Sequence, residues 1–188
     1  MVLNQNVYVF VFTKILYTVR ILGKIIVFFG LGFALSSCFK EPEFSFTPSI
    51  EYKDFSKAIL LDQFLGATKD SIVLNIGFQD GDGDLGLGEE DKQTAQENDD
   101  FNFIVQPFRK KNGKFEAYNS LIPLSGYFPL LKTDEKPGPL EGVLSYTIEF
   151  YHSFTPKNDT LKFQIQIKDR AGNTSNITET EEIVVNQI

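Results

Sequence analysis

The residues best placed to do chemistry lie in one stretch, Gln79-Asp-Gly-Asp-Gly-Asp-Leu-Gly-Leu-Gly-Glu-Glu-Asp91. Asp80, Asp82 and Asp84 alternate with glycine there, so a tight backbone can aim several carboxylates at one point. Such an oxygen set suits a hard cation, and calcium takes six to eight oxygen ligands. Three carboxylates within five residues repel one another unless something compensates them. Lys92 and Arg170 are the bases nearest in sequence to the acidic stretches. The competing reading is a solvated acidic turn, because Asp-Gly repeats also make good turns.

Counted from Asp80, the stretch resembles an EF-hand loop, with Asp80, Asp82 and Asp84 at positions 1, 3 and 5, Leu87 at position 8 and Asp91 at position 12. Two departures matter. Leu85 stands where the sharp turn needs glycine, which arrives one residue late as Gly86, and Asp91 replaces the longer glutamate. A strand pattern precedes the loop, which excludes the helix–loop–helix form. The loop is therefore expected to supply only part of a coordination shell. Calcium fits better than magnesium, since a flexible site of protein oxygens suits it, with an affinity on the order of 10⁻⁴ M as in extracellular modules.

The elements that must hold this loop read as strands. Ile72, Leu74, Ile76 and Phe78 alternate with smaller or polar residues immediately before it. Phe101, Phe103 and Val105 resume the alternation, and Lys111-Asn-Gly-Lys114 gives an Asn-Gly hairpin signal. Leu144 to Phe150 and Leu161 to Ile167 alternate again, and Ile183-Val-Val185 supplies a last strand. Ser49–Leu61 reads as a strand with an irregularity or a short helix. Residues 66–70 read as a turn, and 121–131, with Pro123 and Pro129, as an edge strand or loop. With nine acids and one base between Asp80 and Asp100, that segment is expected to lie outside the core. The sum is an all-β antiparallel sandwich of seven to eight strands, with no convincing amphipathic helix in the domain.

The final hairpin, Phe163 to Ser175 with Asp169-Arg-Ala-Gly-Asn173, resembles the closing strands of bacterial immunoglobulin-like domains. Together with the Asp-Gly-Asp-Gly-Asp-Leu-Gly stretch it resembles a group of bacteroidete-type lipoproteins. The resemblance implies an immunoglobulin-like sandwich, in which the second and sixth strands run the same way and their following loops share an end. On that topology Asp169 and Asn173 are expected to face the same ion as Asp80, Asp82, Asp84 and Asp91.

Composition agrees with a single exported domain. The chain has 188 residues, one cysteine and a net charge of −7; residues 1–37 contribute +3, so the remainder carries −10. That balance disfavours nucleic acid, whose affinity rests on Lys and Arg against phosphates. Cys38 alone allows no internal disulfide. A basic region, an apolar run over residues 25–35 and small residues at its end describe a signal segment over 1–37, helical in character. Leu35-Ser-Ser-Cys38 resembles the bacterial lipobox, which implies a covalent lipid on Cys38 and a membrane anchor. Lys40-Glu41 shortly after it is similar to the export signal of surface lipoproteins, which favours the cell surface over the periplasmic face of the outer membrane. Residues 38–48 then form the lipidated N-terminus and tether, and 49–188 the sandwich.

Other signals are weaker. Asp70-Ser71-Ile72 and Asp159-Thr160-Leu161 match a short O-glycosylation pattern, at Ser71 and Thr160. Asn158, Asn173 and Asn176 begin N-glycosylation sequons that read as ordinary turn residues in a bacterial protein. His152, the single histidine, reads as a strand-end residue without a triad, and the acids, clustered in one loop, lack the separated pair of a glycosidase. Tyr118, Tyr127, Tyr146 and Tyr151 could form a sugar-stacking surface, although aromatics at strand spacing are usually core. The expectation is a non-enzymatic, calcium-stabilised surface lipoprotein that binds a protein or adheres. A carbohydrate-binding or glycan-processing accessory role is the alternative.

Overall fold

A computed structural model describes residues 42–132, 134 and 136–187. The signal segment and Cys38 lie outside the described residues. The domain is a sandwich of two antiparallel sheets. One sheet has the order β1 (Ser49–Asp62), β2 (Ala67–Asp80), β5 (Leu140–Tyr151). The other runs β4 (Lys114–Ala117), β3 (Phe103–Lys111), β6 (Asp159–Ile167), and β6 then pairs with both β7 (Thr178–Glu179) and β8 (Ile183–Val185). First, second and fifth strands thus face third, fourth, sixth, seventh and eighth, with connections crossing between the two sheets of the sandwich.

Alternation in the sequence is what closes the two layers. Ile72, Leu74 and Ile76 on β2 are fully buried, and so are Leu161, Phe163, Ile165 and Ile167 on β6. Phe103 and Val105 of β3 and Leu144, Ile148 and Phe150 of β5 complete the same cluster. Each such side chain contributes about 1.5–3 kcal/mol relative to exposure. Phe150 stacks on Phe163 across the layers, and Phe103 stacks on Tyr146 with ring centroids 3.9 Å apart. The expected Asn-Gly hairpin is present: Lys111 pairs with Lys114, and Asn112 and Gly113 have φ of 50° and 81°, as a type I′ turn requires.

Three local expectations change. Residues 66–70 are not a turn; the chain reverses at Asp62–Gly66, where Asp62 accepts from the N–H groups of Phe64 and Leu65, and β2 has already begun at Ala67. A nine-residue helix, α1 (Glu89–Glu97), follows the acidic loop. It buries only Ala95, so its pattern is almost wholly polar, and Glu89, Glu90 and Asp91 in its first turn favour it through the helix dipole. The acidic segment is also not wholly outside the core, because Leu85 is fully buried. The Leu85 carbonyl accepts from Leu131 N–H, and Leu87 N–H donates to the Phe128 carbonyl, so the 121–131 segment is a loop that straps this leucine in place.

Leu85 is therefore expected to anchor the acidic loop. Leu85→Ala should lower stability by about 2–5 kcal/mol, read from the urea midpoint. A loss under 1 kcal/mol would show that the loop is held by its backbone bonds alone.

Candidate metal centre

β2 delivers Asp80 to the edge of the core, where the carboxylate is fully buried. Its Oδ2 accepts from Gly83 N–H at 2.9 Å and Asp84 N–H at 3.1 Å, which folds the loop back over the strand end. Gly83 and Gly86 adopt φ of 73° and 91°, in the left-handed region open to glycine. A side chain at either would also strike backbone, the Gly138 carbonyl or the Pro129 carbonyl respectively. The glycine that an EF-hand loop needs early and this loop carries late is thus fixed by close packing against Pro129.

The resulting turn brings one oxygen each from Asp80, Asp82 and Asp84 to within 4.8 Å of one another. The Oδ1 atoms of all three are buried without a hydrogen-bond partner. Burial, followed by the charges of Asp82 and Asp84, raises the Asp80 carboxyl to about 6. Burial also raises Asp84, with Asp169 and then Asp82 adding to it.

The loop after β6 does meet this turn. Ala171 N–H donates to Asp84 Oδ2 at 3.0 Å, and Arg170 N–H points to the Asp84 carbonyl at 3.4 Å. Asp169, nearly buried, accepts from Asn173 N–H at 2.6 Å and from the Asn173 side-chain amide at 2.8 Å. Asn173 therefore orients Asp169, and Asp169 stands close enough to act on the Asp84 charge. Asp91 is exposed on the first turn of α1 and lies outside the three-carboxylate group. Sequence spacing did not reveal two further contributors. Gly138 N–H donates to the Asp82 carbonyl, and the lead-in segment joins through Gly81 N–H to the Ser45 carbonyl at 2.8 Å.

Other buried aspartates show what distinguishes this cluster. Asp159 pairs with Arg109 at 2.8 Å. Asp70, also fully buried, accepts from Asn186 N–H at 2.6 Å and meets His152 Nε2 at 3.2 Å. Its second oxygen is also buried without a hydrogen bond, but it has the Lys57 ammonium at 4.0 Å. Each of these has a cationic side chain beside it. At the turn after β2 the charges that act on Asp80 are those of Asp82 and Asp84, while Asp84 has Asp169 and Asp82 raising it and Arg170 lowering it. A divalent cation placed there would supply positive charge and a partner for these oxygens.

The remaining candidates are placed elsewhere. His152 has Asp70 as its side-chain partner and no hydroxyl or thiol bonded to its ring among the described residues. Ser71 and Thr160 sit half-buried within β2 and β6. Tyr118, Tyr146 and Tyr151 line one cleft of about 500 Å³ with Phe154, Leu121 and Ile122. Tyr127 is apart, against Phe101 and bonded to the Ala95 carbonyl. No protein-family model, curated protein or solved structure matches the chain.

The raised Asp80 carboxyl fixes a sign. Its value of about 6 lies above the ordinary 3.8, so without a cation its contribution is full below pH 4 and is lost as pH rises through 6. In chelator, the protein is expected to lose stability between pH 4.5 and 7, and Asp80→Asn should flatten that slope. Urea midpoints across this range check it; identical slopes for both proteins would contradict the assignment.

Proposed function

We propose that this chain is a non-enzymatic surface lipoprotein whose sandwich is stabilised by calcium bound at Asp80, Asp82 and Asp84, with Asp169 oriented by Asn173 at its side. The observation that carries the cation is the convergence of three carboxylates that each keep a buried, unpartnered oxygen, with the Asp80 carboxyl raised by burial and then by the other two. Calcium rather than magnesium follows from the donor set. Protein oxygens on a glycine-rich loop tolerate a large, irregular shell, whereas magnesium keeps its waters and demands an octahedron.

The anchor rests on the lipobox resemblance at Leu35-Ser-Ser-Cys38. Several acyl chains hold a protein stably, since each buried methylene contributes about 0.8 kcal/mol. The described part of the tether reaches the domain at the acidic end, through Ser45 on Gly81. Cation binding would then stiffen the point at which the domain leaves its anchor. Adhesion or capture of a protein ligand is the role that fits an anchored domain in which we find no catalytic constellation among the described residues.

A glycan-binding role is the second reading, favoured by the three tyrosines in one cleft. It ranks lower because the ring faces are already engaged. Arg109 covers Tyr118 at 4.2 Å, and Phe103 covers Tyr146.

The experiment is thermal melting with chelator, magnesium or calcium. At 10 mM calcium, about a hundred times the expected dissociation constant, ligand linkage gives roughly 2.7 kcal/mol. That corresponds to a melting temperature about 5–10 °C higher. Asp82→Asn should abolish the calcium gain while leaving the chelated protein as stable or slightly more so, because it removes a charge facing Asp80. Equal melting temperatures with chelator and calcium would end the cation reading. Independently, intact mass of the membrane-extracted protein should show acylation, and Cys38→Ala should release it to the soluble fraction.

A further inference from the structure

We propose that β5 is a self-association edge, pairing antiparallel with β5 of a second copy about a two-fold axis at Tyr146. The evidence begins with how the sheet edges differ. On the far side of the same sheet, β1 is broken by a bulge at Tyr52–Asp54 and carries Lys53 and Lys57. Its outer backbone groups are also consumed by side chains. Ile50 N–H donates to Asn176 Oδ1, Tyr52 N–H donates to Thr178 Oγ1, and the Asn176 amide returns a bond to the Ile50 carbonyl. In the other sheet, β4 has four residues, and the opposite edge is split into β7 and β8. These are the ordinary protections against edge pairing: interruption, lysine and shortness.

β5 has none of them. It runs twelve residues without proline, lysine or bulge. Its register on β2 is unbroken from Lys69–Tyr151 to Asp80–Leu140. Among the described residues, the backbone from Leu140 to Phe150 bonds only toward β2. Beside it lies the cleft containing Tyr146, Ile148, Phe150, Leu124 and Phe154. Val143 on the strand is 60% exposed and Phe154 at the rim is 80% exposed.

The sequence of β5 selects the partner and the register. Leu144, Ile148 and Phe150 face the core, so an added antiparallel strand must place even-numbered residues opposite even-numbered ones. An axis at Tyr146 sets Leu144 against the partner's Ile148 and Gly142 against the partner's Phe150. On the outer face it sets Ser145 against the partner's Thr147, Val143 against the partner's Glu149, and Glu141 against the partner's Tyr151. No like charges meet. An axis at Ser145 would oppose Glu141 and the partner's Glu149 twice. An axis at Thr147 would shorten the ladder within β5 from eleven residues to nine. Because Tyr146 lines the cleft, the axis brings the two clefts together and removes both apolar rims from water.

β5 begins at the acidic end, where the tether enters. An antiparallel pair therefore sends its two tethers in opposite directions, as in a contact between copies on facing surfaces. That consequence rests on the anchoring proposed above; the pairing does not, and the experiment reads the pairing alone.

The test uses the full chain with detergent micelles in excess, in chelator and in calcium. Sedimentation should show a concentration-dependent species of twice the monomer mass, in either buffer. Val143→Glu, which faces the partner's Glu149, should weaken association at least tenfold. Val143→Lys at the same exposed position should leave it equal or tighter. In a Cys38→Ser background, Ser145→Cys and Thr147→Cys chains should form an intermolecular disulfide only when mixed. Cross-linking of Ser145→Cys chains alone, or of Thr147→Cys chains alone, would overturn the Tyr146 axis. A monomer at all concentrations, or equal effects of Glu and Lys at 143, would overturn the self-association and leave the edge to a strand of a different protein.

Discussion

Mutual repulsion of carboxylates held out of water is the constraint on which this domain depends. Asp80 terminates the central strand of the smaller sheet, and its carboxylate is enclosed by the fold. A single buried charge is costly, and two acidic neighbours add to the cost rather than offsetting it. The raised Asp80 carboxyl reports that conflict. The surrounding structure is nonetheless arranged to preserve the conflict. Leu85 pins the loop from below, Pro129 and Gly138 close on its glycines, and the Asp169 hairpin packs against its far side. So many independent contacts holding like charges together make sense where an opposite charge joins them.

The two ends of β2 show alternative solutions to the same problem. Asp70 and Asp80 are ten residues apart on one strand and equally inaccessible. At Asp70 the chain provides its own compensation, with a backbone donor from Asn186, an imidazole from His152 and an ammonium from Lys57. The Asn186 side-chain amide donates to the carbonyls of His152 and Thr155, so Asn186 also closes that end of the sandwich. That end balances its charge with protein groups, although Asp70 Oδ1 accepts no hydrogen bond and has only Lys57 nearby. The acidic end uses the same residue type with no ion pair to Asp80, Asp82 or Asp84 among the described residues, and only Arg170 offsets the charge of Asp84.

The sheets are similarly asymmetric at their edges. β1 is joined to the opposite sheet by Asn176 and Thr178, which replace strand pairing with side-chain bonds and almost close the sandwich on that side. β5 faces a cleft instead. A sandwich sealed along one seam and open along the other offers its backbone in one direction. The acidic turn and the β5 edge are separate features, one set by charge and the other by unpaired amides and carbonyls.

Much of this was legible in the sequence because period-two alternation is a local property. Ile72 to Phe78 and Leu161 to Ile167 announce which face is buried without reference to any neighbour, and Asn112-Gly113 specifies its own turn. The acidic motif was equally visible, and the topology implied by the resemblance to immunoglobulin-like domains placed the Asp169 loop against it, where Ala171 now bonds Asp84. The sequence could not show α1, whose polar residues carry almost no amphipathic signal, or the burial of Leu85, which depends on a loop some forty residues away. It also gave no sign of whether each buried aspartate would find a cation. Lys57, His152 and Arg109 reach their partners only through strand register, and it is register that leaves Asp80, Asp82 and Asp84 to one another. Residue type and spacing determined the strands and supplied the carboxylates. Tertiary packing decided which of them are desolvated and crowded against one another, because desolvation is a property of surroundings and not of a side chain.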